Sequence, residues 1–68
     1  MATSAQCNEA WERGYNEGWS AYKTSTPSVP PRPASFPPSE DPLDYYRREG
    51  YALGKNDALR TAAGMNKG

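Results

Sequence analysis

Gly14-Tyr15-Asn16-Glu17-Gly18 and, 36 residues further on, Gly50-Tyr51-Ala52-Leu53-Gly54 are one pattern written twice, alike at three of five positions. The two glycines of each copy are spaced i,i+4, one turn of an α-helix. A glycine inside a helix costs about 1 kcal/mol relative to alanine, so four of them require a compensating contact. Close approach of two backbones supplies one. Ala10, Gly14 and Gly18 form a flat stripe on one helix, and Gly50, Gly54 and Ala58 form its counterpart on another, so the two can cross tightly with rings closing the sides. The other common use of glycine, a loop that cradles phosphate, needs a strand before the helix, and no strand pattern is present. The predicted fold class is therefore all-α: a two-helix hairpin with glycine-mediated close packing, its arms joined by a long proline-rich spacer.

The boundaries of the arms follow from local chemistry. Residues 5–23 are free of proline and place Trp11, Tyr15, Gly18 and Tyr22 at helical spacing, with Glu9, Arg13 and Glu17 as an i,i+4 ladder beside them. Thr3 or Ser4 is suited to cap that helix, and Gln6 stands where a capping box with Thr3 wants it. From 24 to 41 proline recurs at 27, 30, 31, 33, 37 and 38, which blocks helix and favours extended backbone. Phe36, the one large apolar ring of this spacer, is expected to fold back into the crevice between the helices. Asp41 as N-cap, Pro42 at the first helical position and Asp44 near the positive helix end open a second helix over 42–63. Gly64 is expected to stop it in a left-handed conformation, with 64–68 a frayed tail. The whole, 1–68, reads as one small domain.

A chain of 68 residues buries little surface, and this one has no Ile, one Val and three Leu. Eight aromatic residues have to supply the core instead. Eight basic and eight acidic side chains cancel, although residues 42–68 carry five basic against three acidic. Cys7 is the only cysteine and is expected to behave as a small buried hydrophobe; with no disulfide available, a reducing, cytoplasmic setting fits best. No apolar run is long enough to cross a membrane.

With no His and one Cys, the residues that most often act as general base and zinc ligand are missing, so neither a metal nor another cofactor is expected. No catalytic residues are assigned, because no acid, base and nucleophile converge. What remains is binding chemistry. Arg48, Tyr51 and Lys55 fall at i, i+3 and i+7 with Arg47 adjacent, so cations flank a ring on one helix face, an arrangement that suits phosphates and an unpaired base. The bland account of the same face is a solvated helix surface with Asp44 pairing Arg48. Trp11, Trp19 and Phe36 are the candidate anchors for a protein partner, since two tryptophans exceed what one facing helix covers; Trp11 and Tyr15 are also the first choices for the core. Pro27-Ser28-Val29-Pro30-Pro31-Arg32 fits the spacing read by SH3 grooves, a pattern common in any proline-rich spacer.

The run Ala10-Trp11-Glu12-Arg13-Gly14-Tyr15-Asn16-Glu17-Gly18-Trp19-Ser20-Ala21, a proline-containing link, and then Tyr46-Arg47-Arg48-Glu49-Gly50-Tyr51-Ala52-Leu53-Gly54 resembles the ribosome modulation factor family and its small relatives. The resemblance implies a two-helix protein that docks on the small ribosomal subunit at its RNA and modulates translation, with Arg47, Arg48, Tyr51 and Lys55 as the RNA-binding positions. Zero net charge and spare aromatic rings motivate a second expectation, a small phage- or mobile-element-type protein that binds and inhibits or adapts a host protein. A second copy could also complete so thin a core, which makes a homodimer a further option.

Overall fold

The computed structural model describes the backbone of residues 2–66 and the side chains of residues 2–61. Two helices, α1 (Ser4–Ser20) and α2 (Pro42–Asn66), pack directly on each other as an all-α helical pair. The start signals act as the sequence implies. The Thr3 hydroxyl accepts from the Gln6 amide at 3.1 Å while the Gln6 side-chain oxygen accepts from the Thr3 amide at 3.0 Å, a complete capping box. At α2, the Leu43 amide donates to the Asp41 carboxylate at 2.9 Å and Pro42 takes the first helical position.

The stop signals act differently. α1 ends at Ser20 rather than Lys23, and in the turn that follows the Trp19 carbonyl accepts from both the Tyr22 and the Lys23 amide. α2 does not stop at Ala63: Gly64 and Met65 remain helical, and no described glycine has positive φ. The strong helix formers Ala62 and Ala63 carry the backbone into Gly64, whose cost within a continuing helix is only about 1 kcal/mol. Of the predicted frayed tail, 67 and 68 lie outside the described residues.

The glycines are the seam. A Cβ built on any of the four would strike the facing backbone: the Arg47 carbonyl from Gly14, that of Tyr51 from Gly18, that of Trp11 from Gly50 and that of Tyr15 from Gly54. Glycine Cα hydrogens meet carbonyl oxygens there, the geometry of Cα–H···O contacts between tightly crossed helices. The contacts rise together along both helices, so the arms run in the same direction. They are also reciprocal. Subtracting the 36-residue offset from 47 and 51 returns 11 and 15, which are the residues that face Gly50 and Gly54. The repeat in sequence is thus a pseudo-two-fold in space, with its axis along the seam.

A parallel pair needs a return leg, and the proline-rich segment is that leg. It runs back along α1: the Trp19 indole donates to the Ser25 carbonyl at 2.8 Å, the Trp11 indole to the Pro30 carbonyl at 2.8 Å, and Arg32 hydrogen-bonds the Asn8 side chain. It then anchors on α2 at Tyr46, which is fully buried. The Tyr46 hydroxyl donates to the Pro33 carbonyl at 2.8 Å, and Arg32 lies over its ring, 4.9 Å from the centroid. The segment read as a spacer is therefore a strap. Cys7, Trp11 and Tyr46 form the core cluster beneath it, with Val29, Leu43 and Leu53 packed around them.

Candidate binding face

The pseudo-two-fold generates two grooves between the helices, and the sequence fills them unequally. In the first, Trp11, Tyr15 and Trp19 of α1 face Tyr46, Leu53 and Asp57 of α2, and the strap covers them. Trp19 stacks on Tyr15 with centroids 6.3 Å apart and planes inclined by 17°. The Tyr15 hydroxyl donates to Asp57 at 2.5 Å, and Arg60 holds the other carboxylate oxygen. Burial, together with the neighbouring carboxylate, pushes the Tyr15 pKa up to about 12, while the tyrosine hydrogen bond and Arg60 hold that of Asp57 below its ordinary value.

In the second groove the 36-residue offset places Arg47, Tyr51 and Lys55 of α2 where Trp11, Tyr15 and Trp19 stand in the first. Opposite them are Ala10, Glu17 and Ala21 in place of Tyr46, Leu53 and Asp57. Ala10 and Ala21 are smaller than the residues they replace, and no strap covers this side. A shallow cavity of about 280 Å³ results, lined by Glu17, Asp44, Arg47, Arg48 and Tyr51. A second hollow continues it past Asp44 and Arg47 to Ala10 and Arg13.

Of the four residues expected to meet RNA, Arg47, Arg48 and Tyr51 line this open groove, and Lys55 follows one helical turn beyond Tyr51. Tyr51 is 42% exposed and, among the described residues, has no hydrogen-bond partner. Lys55 is exposed and has no ion pair among the described residues. Arg47 bridges the helices to Glu17 at 3.0 Å. Arg48 pairs with Glu40 at 2.7 Å and reaches Glu49 at 3.8 Å, so its carboxylate partner is not the expected Asp44, which is exposed and lines the groove. The helical ladder Glu9, Arg13, Glu17 is likewise redirected, since Glu17 turns across to Arg47.

The expected protein-partner anchors fare differently. Trp11 is 5% exposed, and its indole N–H is used by Pro30, so it belongs to the core cluster. Trp19 is half-buried between Tyr15 and the strap. Phe36 does fold back, packing edge-on against Tyr46 at 5.8 Å, yet remains 40% exposed at the mouth of the fold instead of entering the crevice. The SH3-like spacing is also taken up internally, since Arg32 is committed to Asn8 and Tyr46. Tyr46 as strap anchor and the Tyr15–Asp57 pair escaped the sequence reading. The signal that exposes them is the breakdown of the repeat: Ala10 and Ala21 stand 36 residues before Tyr46 and Asp57.

Compared with known proteins, the chain matches no family model, no curated protein and no solved structure. No helix among the described residues is long and apolar enough to cross a membrane, and no cluster of three potential metal ligands occurs among them.

Proposed function

We propose that the chain is a non-catalytic binding module that docks on ribosomal RNA of the small subunit through the open groove of α2 and thereby modulates translation. The observation that carries this reading is Tyr51, exposed on an uncovered face with Arg47, Arg48 and Lys55 around it. An exposed ring flanked by cations meets the two demands of an RNA site, a stacking platform and phosphate partners. The ion pairs of Arg47 and Arg48 do not stand in the way, because their side chains are 55% and 58% exposed and such pairs contribute only about 0–1 kcal/mol. A phosphate can replace the carboxylate at little cost.

Three cations set the expected salt response. Neutralising about three phosphates of a single strand gives a slope of log affinity on log salt near −2. The test is co-sedimentation with purified small subunits at several salt concentrations, with wild type and the double variant Arg47→Glu, Arg48→Glu. Binding that weakens with salt and disappears in the variant supports the reading; binding retained by the variant sinks it.

One observation favours a second reading. The cations of this groove already have carboxylates beside them, and the chain as a whole is neutral, which is the mixed-charge character of a protein-binding rim. A host protein captured in a stoichiometric complex that resists nuclease and moderate salt would establish that alternative.

A further inference from the structure

The covered groove is a template for what the open one lacks. Along the first groove the donors of Trp11 and Trp19 are met by carbonyl oxygens of an extended chain, the Tyr15 hydroxyl has an acceptor in Asp57, and the Tyr15 ring carries a stacked ring. The pseudo-two-fold carries these positions onto the second groove without the strap carbonyls, the tyrosine's acceptor or its stacked ring; among the described residues Arg47 alone has a partner there, the exposed carboxylate of Glu17. Arg47 and Lys55 offer stronger donors in place of the indoles. Tyr51 has neither an acceptor for its hydroxyl among the described residues nor a stacked ring, because Lys55 replaces Trp19 and Ala21 replaces Asp57.

An occupant that supplies the missing groups must be extended, must bear acceptors or negative charge at both ends of a stretch two helical turns long, about 12 Å, and must place a flat ring between them. Duplex RNA fails the last demand, since its bases are stacked on one another. A single strand meets all three. Resting on the ribosomal reading above, we infer that the groove binds an unpaired, extended stretch of RNA in the position related by the pseudo-two-fold to the protein's own strap, with one base stacked on Tyr51 and flanking phosphates on Arg47 and Lys55. Ala10 and Ala21 are small so that the strand can lie between the helices, where Tyr46 and Asp57 close the other groove.

The experiment uses the full chain and a fluorescein-labelled single-stranded RNA of about 12 nucleotides, a length within the usual range of single-strand sites, alongside the same strand annealed to its complement. Binding is followed by anisotropy, and small-subunit co-sedimentation is measured in parallel. Expected are single-strand binding at least about 10-fold tighter than duplex binding and a loss of about 10-fold or more in Tyr51→Ala, the usual effect of removing one stacking ring. Tyr51→Trp keeps the affinity and gains a tryptophan emission that the single strand quenches. Ala21→Asp, which installs a carboxylate at the position the repeat relates to Asp57, weakens binding, and Tyr22→Ala, removing an exposed ring absent from the groove lining, leaves it unchanged. Tyr51 and Ala21 are exposed, so these variants leave the seam intact.

Equal affinity for strand and duplex, or a Tyr51→Ala variant as tight as wild type, overturns the inference. If subunit co-sedimentation persists in that case, the ribosomal reading stands without the single-strand site. Loss of both RNA and subunit binding in the wild-type protein overturns the two together.

Discussion

Replacing Gly50 by alanine tests the seam at its most lenient point. The new Cβ would lie 2.5 Å from the Trp11 carbonyl oxygen and 3.1 Å from the Tyr15 amide nitrogen, both of them backbone atoms. Carbon to oxygen contacts between packed helices run at about 3.3–3.6 Å, so the helices must part by roughly 0.8 Å. Over-packing of this kind costs about 1–3 kcal/mol, and a gap of 0.5–1 Å elsewhere along the seam forfeits a quarter to a half of each dispersion contact. Against this the helix gains about 1 kcal/mol in propensity. The net loss should be about 2 kcal/mol, out of the roughly 3–10 kcal/mol available to a chain this size. With a urea m-value near 1 kcal/mol/M, the midpoint of a circular dichroism titration falls by about 2 M at unchanged m. Asn16→Ala, on an exposed face of the same helix pair, serves as control and should raise the midpoint slightly. Gly18→Leu and Gly50→Leu, which demand far more space, should not fold. A Gly50→Ala midpoint equal to or above wild type would refute close backbone packing, because propensity alone would then be acting.

Stability should decline as pH rises from 10 to about 12, because the folded-state pKa of Tyr15 lies above the ordinary tyrosine value and its contribution is complete only below 10. The corresponding Asp57 contribution is present above the unfolded carboxylate value near 4 and is lost as pH falls through the lower folded one. Tyr15→Phe should flatten the alkaline loss, measured as denaturation midpoint against pH; an unchanged profile would remove the pair from the account. Tyr46→Phe, which deletes the donor to Pro33 and the acceptor for Arg32 in a fully buried setting, should cost about 1–2 kcal/mol and speed exchange of the Trp11 indole N–H that the strap carbonyl of Pro30 holds. An unaltered indole exchange rate would mean that Tyr46 does not anchor the strap.

Much of this architecture is written in short-range chemistry. Thr3 with Gln6 and Asp41 with Pro42 announce the helix starts because caps act within one turn. The glycine spacing announces the seam because only a close partner compensates four glycines. The direction of the pair is not legible in the same way, since an i,i+4 stripe looks identical to a partner running either way. Nor does proline content distinguish a strap from a linker. The strap is held through the carbonyls of Ser25, Pro30 and Pro33, and a backbone carbonyl is present at every residue. For the candidate site, the cation and tyrosine pattern on α2 is readable from spacing alone. That Trp11 is closed off while Tyr51 stays open is not, because the choice between them is made by the strap.

That choice explains how so small a chain forms a domain and keeps a surface to spare. Two helices crossing on glycine bury few side chains at the seam, so the rings that flank it need a second layer. A third helix would provide one at the expense of many residues; an extended chain spans the same length with about half as many, since it rises about 3.1 Å per residue against 1.5 Å. Its lack of internal hydrogen bonds is met by the indole, tyrosine and arginine donors that α1, α2 and the strap itself direct at it. Because the helices are related by a pseudo-two-fold and the chain has only one strap, covering one groove leaves its twin bare. The repeat then diverges according to exposure: Trp11 and Trp19 on the covered side, Arg47 and Lys55 on the bare one, with a tyrosine kept at the centre of each. A groove left open merely for want of cover would be served by any polar residue at 51. An exposed tyrosine with cations beside it is instead the composition that the proposed RNA site requires.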